Sequence, residues 1–429
     1  MGYTIMGMAL GIALIVLFIV GVPIAFAIGG ASVIALIIDG STPLILVAQR
    51  MFIGIDSFPY LALPFFILAG NLMGSGGISK RLVDFCMSLL GKLSGGLALV
   101  AVLTAMFFAA VSGSSAATTA AVGAILIPSM VRNHYKDSFA AATVSSASAI
   151  GIIIPPSVPM ILFCIGSGVS VGKIFAAGII PGIFIGITLM FVAYFRSKQE
   201  GYRGTREYSV KEILIAFKDA LLALIMPLII LGGIYGGIFT PTEAAAVAVI
   251  YGFIVSMFIY REITFKDLAK ILLDSAITSA SILIIISAAN LFGLLMARDM
   301  LPQRLAELFI SISSDKYVFL LLINVMLLLV GMVFESSAAI IILTPLLCPI
   351  AVFFGIDLIH FGVIMIVNLA IGMITPPVGL NLFVASYISG VPLKNIMSQI
   401  WPFLIVFIAD LLIITYLPQI SLWLPSILG

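Results

Sequence analysis

Two stretches of this 429-residue chain match each other in one register, without a gap, at an offset of 221 residues. Ser115, Ala117, Leu126, Pro128, Val131, Ile150, Gly151, Ile153, Pro155, Pro156, Lys173 and Pro181 recur as Ser336, Ala338, Leu347, Pro349, Val352, Ile371, Gly372, Ile374, Pro376, Pro377, Lys394 and Pro402. Apolar segments share letters by chance, but a Gly-x-x-x-Pro-Pro block held in a single register is not of that kind. The chain therefore has to fold as two copies of one unit.

The medium of that fold follows from composition. Hydrophobic residues make up 62% of the chain and charged residues 9%, against roughly 25% charged in soluble domains. A soluble protein of this length lacks the polar surface it would need here. Runs of apolar residues long enough for spanning helices, about 20 each, recur from Ile5 to Leu424. The expectation is an all-α polytopic membrane protein. Its net charge of +2 is too small and scattered to suggest nucleic acid. Cys86, Cys164 and Cys348 are far apart in apolar runs, and His134 and His360 are equally separated, so neither disulfides nor a zinc site is expected. Met6–Val20 has no basic segment before it and another apolar run after it, unlike a cleaved signal.

Charge sets the orientation. The polar stretch Arg196–Lys218 holds Arg196, Lys198, Arg203, Arg206, Lys211 and Lys218, and the positive-inside rule puts it in the cytoplasm. Lys80, Arg81, Lys92, Arg132, Lys136, Arg261, Lys266 and Lys270 fall on the same side, which leaves the N-terminus, Arg50 and Arg304 outside. The first copy then starts outside and the second inside, an inverted repeat. The chain divides into scaffold helices and the start of repeat 1 (1–76), repeat 1 (77–195), a basic cytoplasmic loop (196–218), a scaffold hairpin (219–267) and repeat 2 (268–429).

Each copy is interrupted twice. Ser112-Gly113-Ser114-Ser115 and Glu335-Ser336-Ser337 are polar clusters between half-length apolar runs, read as tips of re-entrant hairpins over about 89–132 and 317–355. Non-helical backbone at membrane depth is tolerated where it lines a cavity or is buried in protein. Gly151–Ser157 and Gly372–Val378 carry paired prolines within broken helices, about 138–170 and 358–389, before a final helix at about 396–424. Proline lacks the N–H and displaces the residue before it from the helix, which frees carbonyls. Discontinuous helices in matching places of inverted halves point to a secondary transporter with its site at the repeat interface.

Freed carbonyls and hydroxyls are hard, uncharged oxygen ligands suited to a dehydrated monovalent cation. The expected first sodium site joins Ser112, Ser114 and Ser115 to carbonyls near Gly151, Ile154 and Pro156; the second joins Gly331, Gly372, Thr375 and Val378. Helix N-termini at Ala116 and Ala338 favour an anionic substrate at the midplane. Ser112, Ser114, Glu335, Ser336, Arg298 and Asn381 are the candidate substrate contacts. Arg298 has a structural alternative in neighbouring Asp299, and Glu335 in capping its hairpin; intramembrane charge is otherwise functional by default. Asp274 and Asp410 read as helix contacts. No cofactor is expected beyond Na+ as coupling ion. A serine hydrolase would need a base beside Ser112 or Ser114, and His134, the nearest, follows a whole half-hairpin; the chain is not expected to be an enzyme.

Asp56–Gly70 (DSFPYLALPFFILAG), Gly21–Phe26 (GVPIAF) and Gly236–Ala246 (GGIFTPTEAAA) resemble signatures of the large membrane subunit of tripartite ATP-independent periplasmic (TRAP) transporters, as do Ser112–Ser115 and Thr375–Gly379. The resemblance covers essentially the whole chain. It implies an elevator-type carrier in a bacterial inner membrane, importing organic acids with sodium. It also implies a four-helix small membrane subunit, separate because this chain begins at the large-subunit start, and a periplasmic substrate-binding protein. The overall look leans toward sialic acid carriers, whose motifs C4-dicarboxylate carriers share. A stand-alone sodium–carboxylate symporter is the rival reading. Glu243, just after a proline-containing turn, reads as a helix-start charge.

Overall fold

The computed structural model describes residues 2–428. In chain order the first helices are α1 (Gly2–Ile19), α2 (Ile24–Asp39), α3 (Ile45–Ile53), α4 (Ala62–Ser75) and α5 (Ile78–Leu90). The first hairpin is α6 (Gly96–Ser112) and α7 (Ser115–Arg132), and the first broken helix is α8 (Asp137–Ser148) with α9 (Val158–Ser167). Then come α10 (Val171–Gln199), α11 (Val210–Tyr235), α12 (Pro241–Ile254) and α13 (Phe265–Arg298). The second unit repeats the order: α14 (Leu301–Ile312), hairpin α15 (Lys316–Gly331) and α16 (Ser336–Phe353), broken helix α17 (Leu358–Gly372) and α18 (Leu380–Ser389), then α19 (Leu393–Tyr416) and α20 (Gln419–Leu428).

The boundaries shift in three places. The cytoplasmic loop is shorter than 196–218, because α10 runs to Gln199 and α11 starts at Val210. Ser209 and Glu212 form a reciprocal capping box that opens α11 within the basic stretch. The final helix ends at Tyr416, and α20 follows it as a separate short helix after Pro418. Three amphipathic helices, α3, α5 and α14, also occupy ground expected to be loop or the start of a hairpin. Between α14 and α15 the chain turns by 115°.

The two repeats interlock. Each hairpin packs on the broken helix of its own copy, α7 on α8 and α15 on α17, and its returning arm packs on the far half of the other copy's broken helix: α7 on α18, and α16 on α9. Small residues allow this approach. A Cβ at Gly166 of α9 would lie 2.9 Å from the Thr344 methyl of α16, and one at Gly123 of α7 would lie 3.5 Å from Ile388 of α18. Helix α8 is buried on every side although rich in Ser, Thr and Ala. Its hydroxyls turn back on their own helix, Thr143 to Phe139 O and Ser146 to Ala142 O at 2.8 Å each, which satisfies these donors in a dry interior.

Around this body α1, α2, α13, α4, α12, α11 and α5 pack in succession as a wall. Met6, Leu10, Ile28, Ala31, Ala288 and Leu291 form a separate apolar core where α1, α2 and α13 meet. Its outward residues, Ile15, Ile19, Phe26 and Ile37 among them, are large, apolar and exposed, as helices bordering lipid or another membrane subunit require.

Ion pairs and hydrogen bonds mark the two ends. Lys136 at the foot of the first hairpin pairs with Glu200 at 2.7 Å, and Arg196 reaches Gln399 at the start of α19. At the other end, Tyr416 at the close of α19 donates to Tyr317 O at the foot of the second hairpin. The hairpins thus enter from opposite faces, and the positive-inside rule assigns the Lys136 face to the cytoplasm. α13 starts near that face and ends beside Asp39 and Thr42 at the other.

Candidate functional site

The two hairpin tips meet at one cavity of about 590 Å³. Its walls are the tips (Ser112–Ala117 and Glu335–Ala338), the breaks (Ile152, Val158, Pro159, Met373, Leu380), Gly70 and Asn71 of α4, and a face of α13 from Ile277 to Ile285.

Local chemistry builds each tip. Gly113 has φ +61°, and a Cβ there would lie 2.6 Å from Pro156 O, so only glycine fits between hairpin and break. Ser114 caps α7 by accepting from Ala117 N. At the second tip Glu335 caps α16: its carboxylate accepts from Ser337 N at 2.8 Å and Ala338 N at 3.2 Å, and from the hydroxyls of Ser336 and Ser337. Helices α9 and α18 also begin at the wall, at Val158 and Leu380. Four helix N-termini therefore aim their positive ends at one space, an arrangement that stabilises an anion.

Behind the first tip lies a set of oxygens. Ser115 Oγ donates to Ser148 O at 2.9 Å and accepts from Asn381 Nδ2 at 2.6 Å; Asn381 also donates to Ser145 O at 3.2 Å. Ser112 and Thr118 hydroxyls are 3.0 Å apart. Asn381 Oδ1 and Ser148 Oγ are buried with no hydrogen-bond partner among the described residues, and buried acceptors of this kind call for a donor or a cation. Gly151 lets the broken helix touch the tip: a Cβ there would lie 2.8 Å from Ser114 O. The Ile154 side chain packs on Gly182.

Behind the second tip the contacts are backbone on backbone. A Cβ at Gly372 would lie 2.3 Å from Gly331 C, and Val378 N donates to Met332 O at 3.2 Å. Thr375 Oγ1 donates to Ile371 O at 2.7 Å and keeps its lone pairs for another partner. The first break is almost wholly buried, whereas Thr375 and Pro376 are half-buried and Pro377 and Val378 exposed.

Two expected substrate contacts lie elsewhere. Asn381 is fully buried behind the tip and does not reach the cavity wall. Arg298 sits at the outer end of α13, hydrogen-bonded to Ser41 and Thr42 and 3.9 Å from Asp39. Its span ends at that residue, so the side chain belongs to the outer rim and not to the midplane. His134 lies beyond the foot of α7, an 18-residue helix of about 27 Å at 1.5 Å per residue, too far to serve Ser112 or Ser114 as a base. Asp410 stands away from the cavity and accepts from Thr188 at 2.5 Å, tying α19 to α10. Glu243 forms a capping box with Thr240.

Asn71, Thr278 and Ser281 line the cavity, although no motif in the sequence marks them as site residues. A weaker signal does exist: Asp274, Ser275, Thr278, Ser279 and Ser281 place small polar residues at helical spacing within an apolar span. Asn71 donates to Ser275 Oγ at 2.8 Å, which fixes α4 against α13.

Known proteins agree with this architecture. A solved transporter, YdaH of Alcanivorax borkumensis, superposes with a TM-score of 0.64 over 90% of each chain at 15% sequence identity, which supports the fold. The isethionate TRAP transporter permease protein DctMQ of Oleidesulfovibrio alaskensis is 45% identical over 94% of this chain, which spans 64% of that longer protein. The C4-dicarboxylate TRAP transporter large permease protein DctM of Pseudomonas aeruginosa is 44% identical, over 89% of this chain and 90% of that one. The sialic acid TRAP transporter large permease protein SiaM of Vibrio cholerae is 38% identical over 96% of both. The family described as "Tripartite ATP-independent periplasmic transporter, DctM component" matches residues 11–420. With its interlocked repeats and multi-pass helices, the chain belongs to that family, as a large membrane subunit of the inner membrane and a transporter, not an enzyme.

Proposed function

We propose that this chain is the carrier subunit of a sodium-coupled importer of a small organic acid. The observation that carries the reading is the convergence of four helix N-termini on the cavity between the two tips. An anion there gains from the N-termini of α7, α9 and α18, that of α16 being already capped by Glu335, and meets no cationic side chain in the cavity lining that would hold it too tightly to release.

Sodium occupies two places in this reading. The first lies behind the Ser112–Ser115 tip, where the unpartnered Asn381 Oδ1 and Ser148 Oγ add to the Gly151 region. The second lies between Gly331 and the Gly372–Val378 break. Bound sodium would hold each tip to its broken helix and so complete the anion cavity, which couples the two solutes. The interlocked body then moves as one piece past the α13 wall, an elevator displacement. A four-helix small subunit braces the wall, and a periplasmic binding protein delivers the acid. The relatives are named for isethionate, C4-dicarboxylates and sialic acid. A small organic anion is their common chemistry, and nothing singles out sialic acid here.

Thermal unfolding of the purified chain tests the coupling. A ligand that binds only the folded state raises stability as its concentration exceeds Kd, by roughly 2.7 kcal/mol at a hundredfold excess. The melting temperature should rise with Na+ but not with K+ at equal ionic strength. A further rise with succinate or isethionate should appear in Na+ alone. Equal responses in Na+ and K+ would remove sodium from the proposal.

A further inference from the structure

A second cavity, of about 320 Å³, lies further out along the same wall. Arg50 of α3, Tyr60, and Ile286, Asn290 and Gly293 of α13 face Leu162 and Gly166 of α9 and Pro345 of α16 across it. It therefore separates the wall from the hairpin body, as the tip cavity does. Thr278, Ile282, Ile285, Ala289 and Gly293 succeed one another at three- and four-residue steps, so one face of α13 serves both spaces. From Ser281 to Asn290 that face advances by about 14 Å at 1.5 Å per residue.

The outer cavity differs in carrying a fixed positive charge. Arg50, Tyr60 and Asn290 all line it, and none of their side chains has an ion pair or hydrogen bond to a described residue. Arg298 and Arg304, the other arginines at this end, are held by Asp39 and Asp299. The placement of Arg50 is built. Ser287 Oγ donates to Met51 O at 2.7 Å, and a Cβ at Gly54 would lie 2.6 Å from Asn290 Cβ, so α3 is clamped directly on α13. A guanidinium fork beside a phenol and an amide donor matches a carboxylate or sulfonate, and the volume suits a small organic molecule.

The geometry points to a second anion subsite, in which Arg50, Tyr60 and Asn290 receive the small carboxylate or sulfonate on the outer side before it passes along α13 to the hairpin tips. This rests on the transport function proposed above. Arg50 supplies a full positive charge, which the lining of the tip cavity does not contain. Arrival is favoured outside by a full charge, and release inside is eased because only dipoles hold the anion there.

The three native cysteines are buried, so Leu294→Cys, on the cavity wall, provides a reporter for an impermeant thiol reagent added outside. The experiment uses proteoliposomes of the full complex with succinate or isethionate, against sodium chloride at the same ionic strength. The acid should slow labelling at least fivefold with Arg50 present and less than twofold in Arg50→Gln, with Arg50→Lys between them. KM for uptake should rise about tenfold or more in Arg50→Gln, the usual loss for a charge-assisted contact. Equal labelling rates of the two chains without acid show that Arg50→Gln is folded. Equal protection in both backgrounds, or protection in neither, overturns the subsite. Uptake that persists alongside either result leaves the transport function standing; protection that depends on Arg50 without uptake supports the subsite and fails the transport of that acid.

Discussion

Asn381 Nδ2 donates to Ser115 Oγ at 2.6 Å, joining the second copy's broken helix to the first copy's hairpin tip. The residues are 266 positions apart in sequence. This bond and the packing of α7 on α18 and α16 on α9 tie both tips into one interlocked body. Replacing Asn381 by Leu removes the donor shared by Ser145 O and Ser115 Oγ in a dry interior, while Ser115 keeps its bond to Ser148 O, at a cost of about 1–3 kcal/mol. Thermal unfolding of the variant should show that loss. It should also show a weaker response to Na+, because Asn381 Oδ1 is among the unpartnered acceptors. A response identical to that of the native chain would separate Asn381 from sodium.

Gly113 and Gly168 both have positive φ, +61° and +77°, but their surroundings differ. A Cβ at Gly113 would lie 2.6 Å from Pro156 O, whereas one at Gly168 meets nothing within 4 Å. Gly113→Ala should therefore abolish uptake, because the tip can no longer seat on the break. Gly168→Ala should cost only the strain of a left-handed alanine, roughly 1 kcal/mol, with uptake retained. Similar uptake in the two variants would contradict the close-approach argument.

Glu335 uses its carboxylate to cap α16. Glu335→Ala should lower stability by about 0.5–2 kcal/mol, the usual loss of a cap. Glu335→Gln keeps an acceptor and removes a charge that repels an anion, so KM for the acid should stay level or fall. A tenfold rise in KM in Glu335→Gln would make this carboxylate a substrate contact.

Thr375→Val removes the side-chain hydroxyl at the second break while preserving its shape. The sodium concentration giving half-maximal uptake should rise several-fold, with KM for the acid at saturating sodium little changed. Unchanged sodium activation would take Thr375 out of the site.

Much of this architecture is legible in the amino-acid sequence, because backbone interruptions leave marks there. Paired prolines and Ser-Gly clusters stand out inside apolar runs, and their common register pairs Gly151 with Gly372. What escapes is what periodicity inside an apolar chain cannot encode. The helices α3, α5 and α14 present apolar residues on one face and are too short to span, so they blend into connections. Arg298 lies at the last residue of its span, where sequence cannot tell rim from midplane. Asn381 stands out beside the second break, yet its partner Ser115 belongs to the other copy, and only the interlocking of the repeats brings them together.

The most direct test of sodium-coupled carriage is uptake of labelled succinate or isethionate into proteoliposomes holding this chain, a four-helix small subunit and a substrate-binding protein. Accumulation should require an inward Na+ gradient and collapse when the gradient is dissipated, and omission of the binding protein should abolish it. Equal accumulation with K+ replacing Na+ would contradict sodium coupling, and uptake by this chain alone would contradict a carrier that works only as part of a three-part assembly.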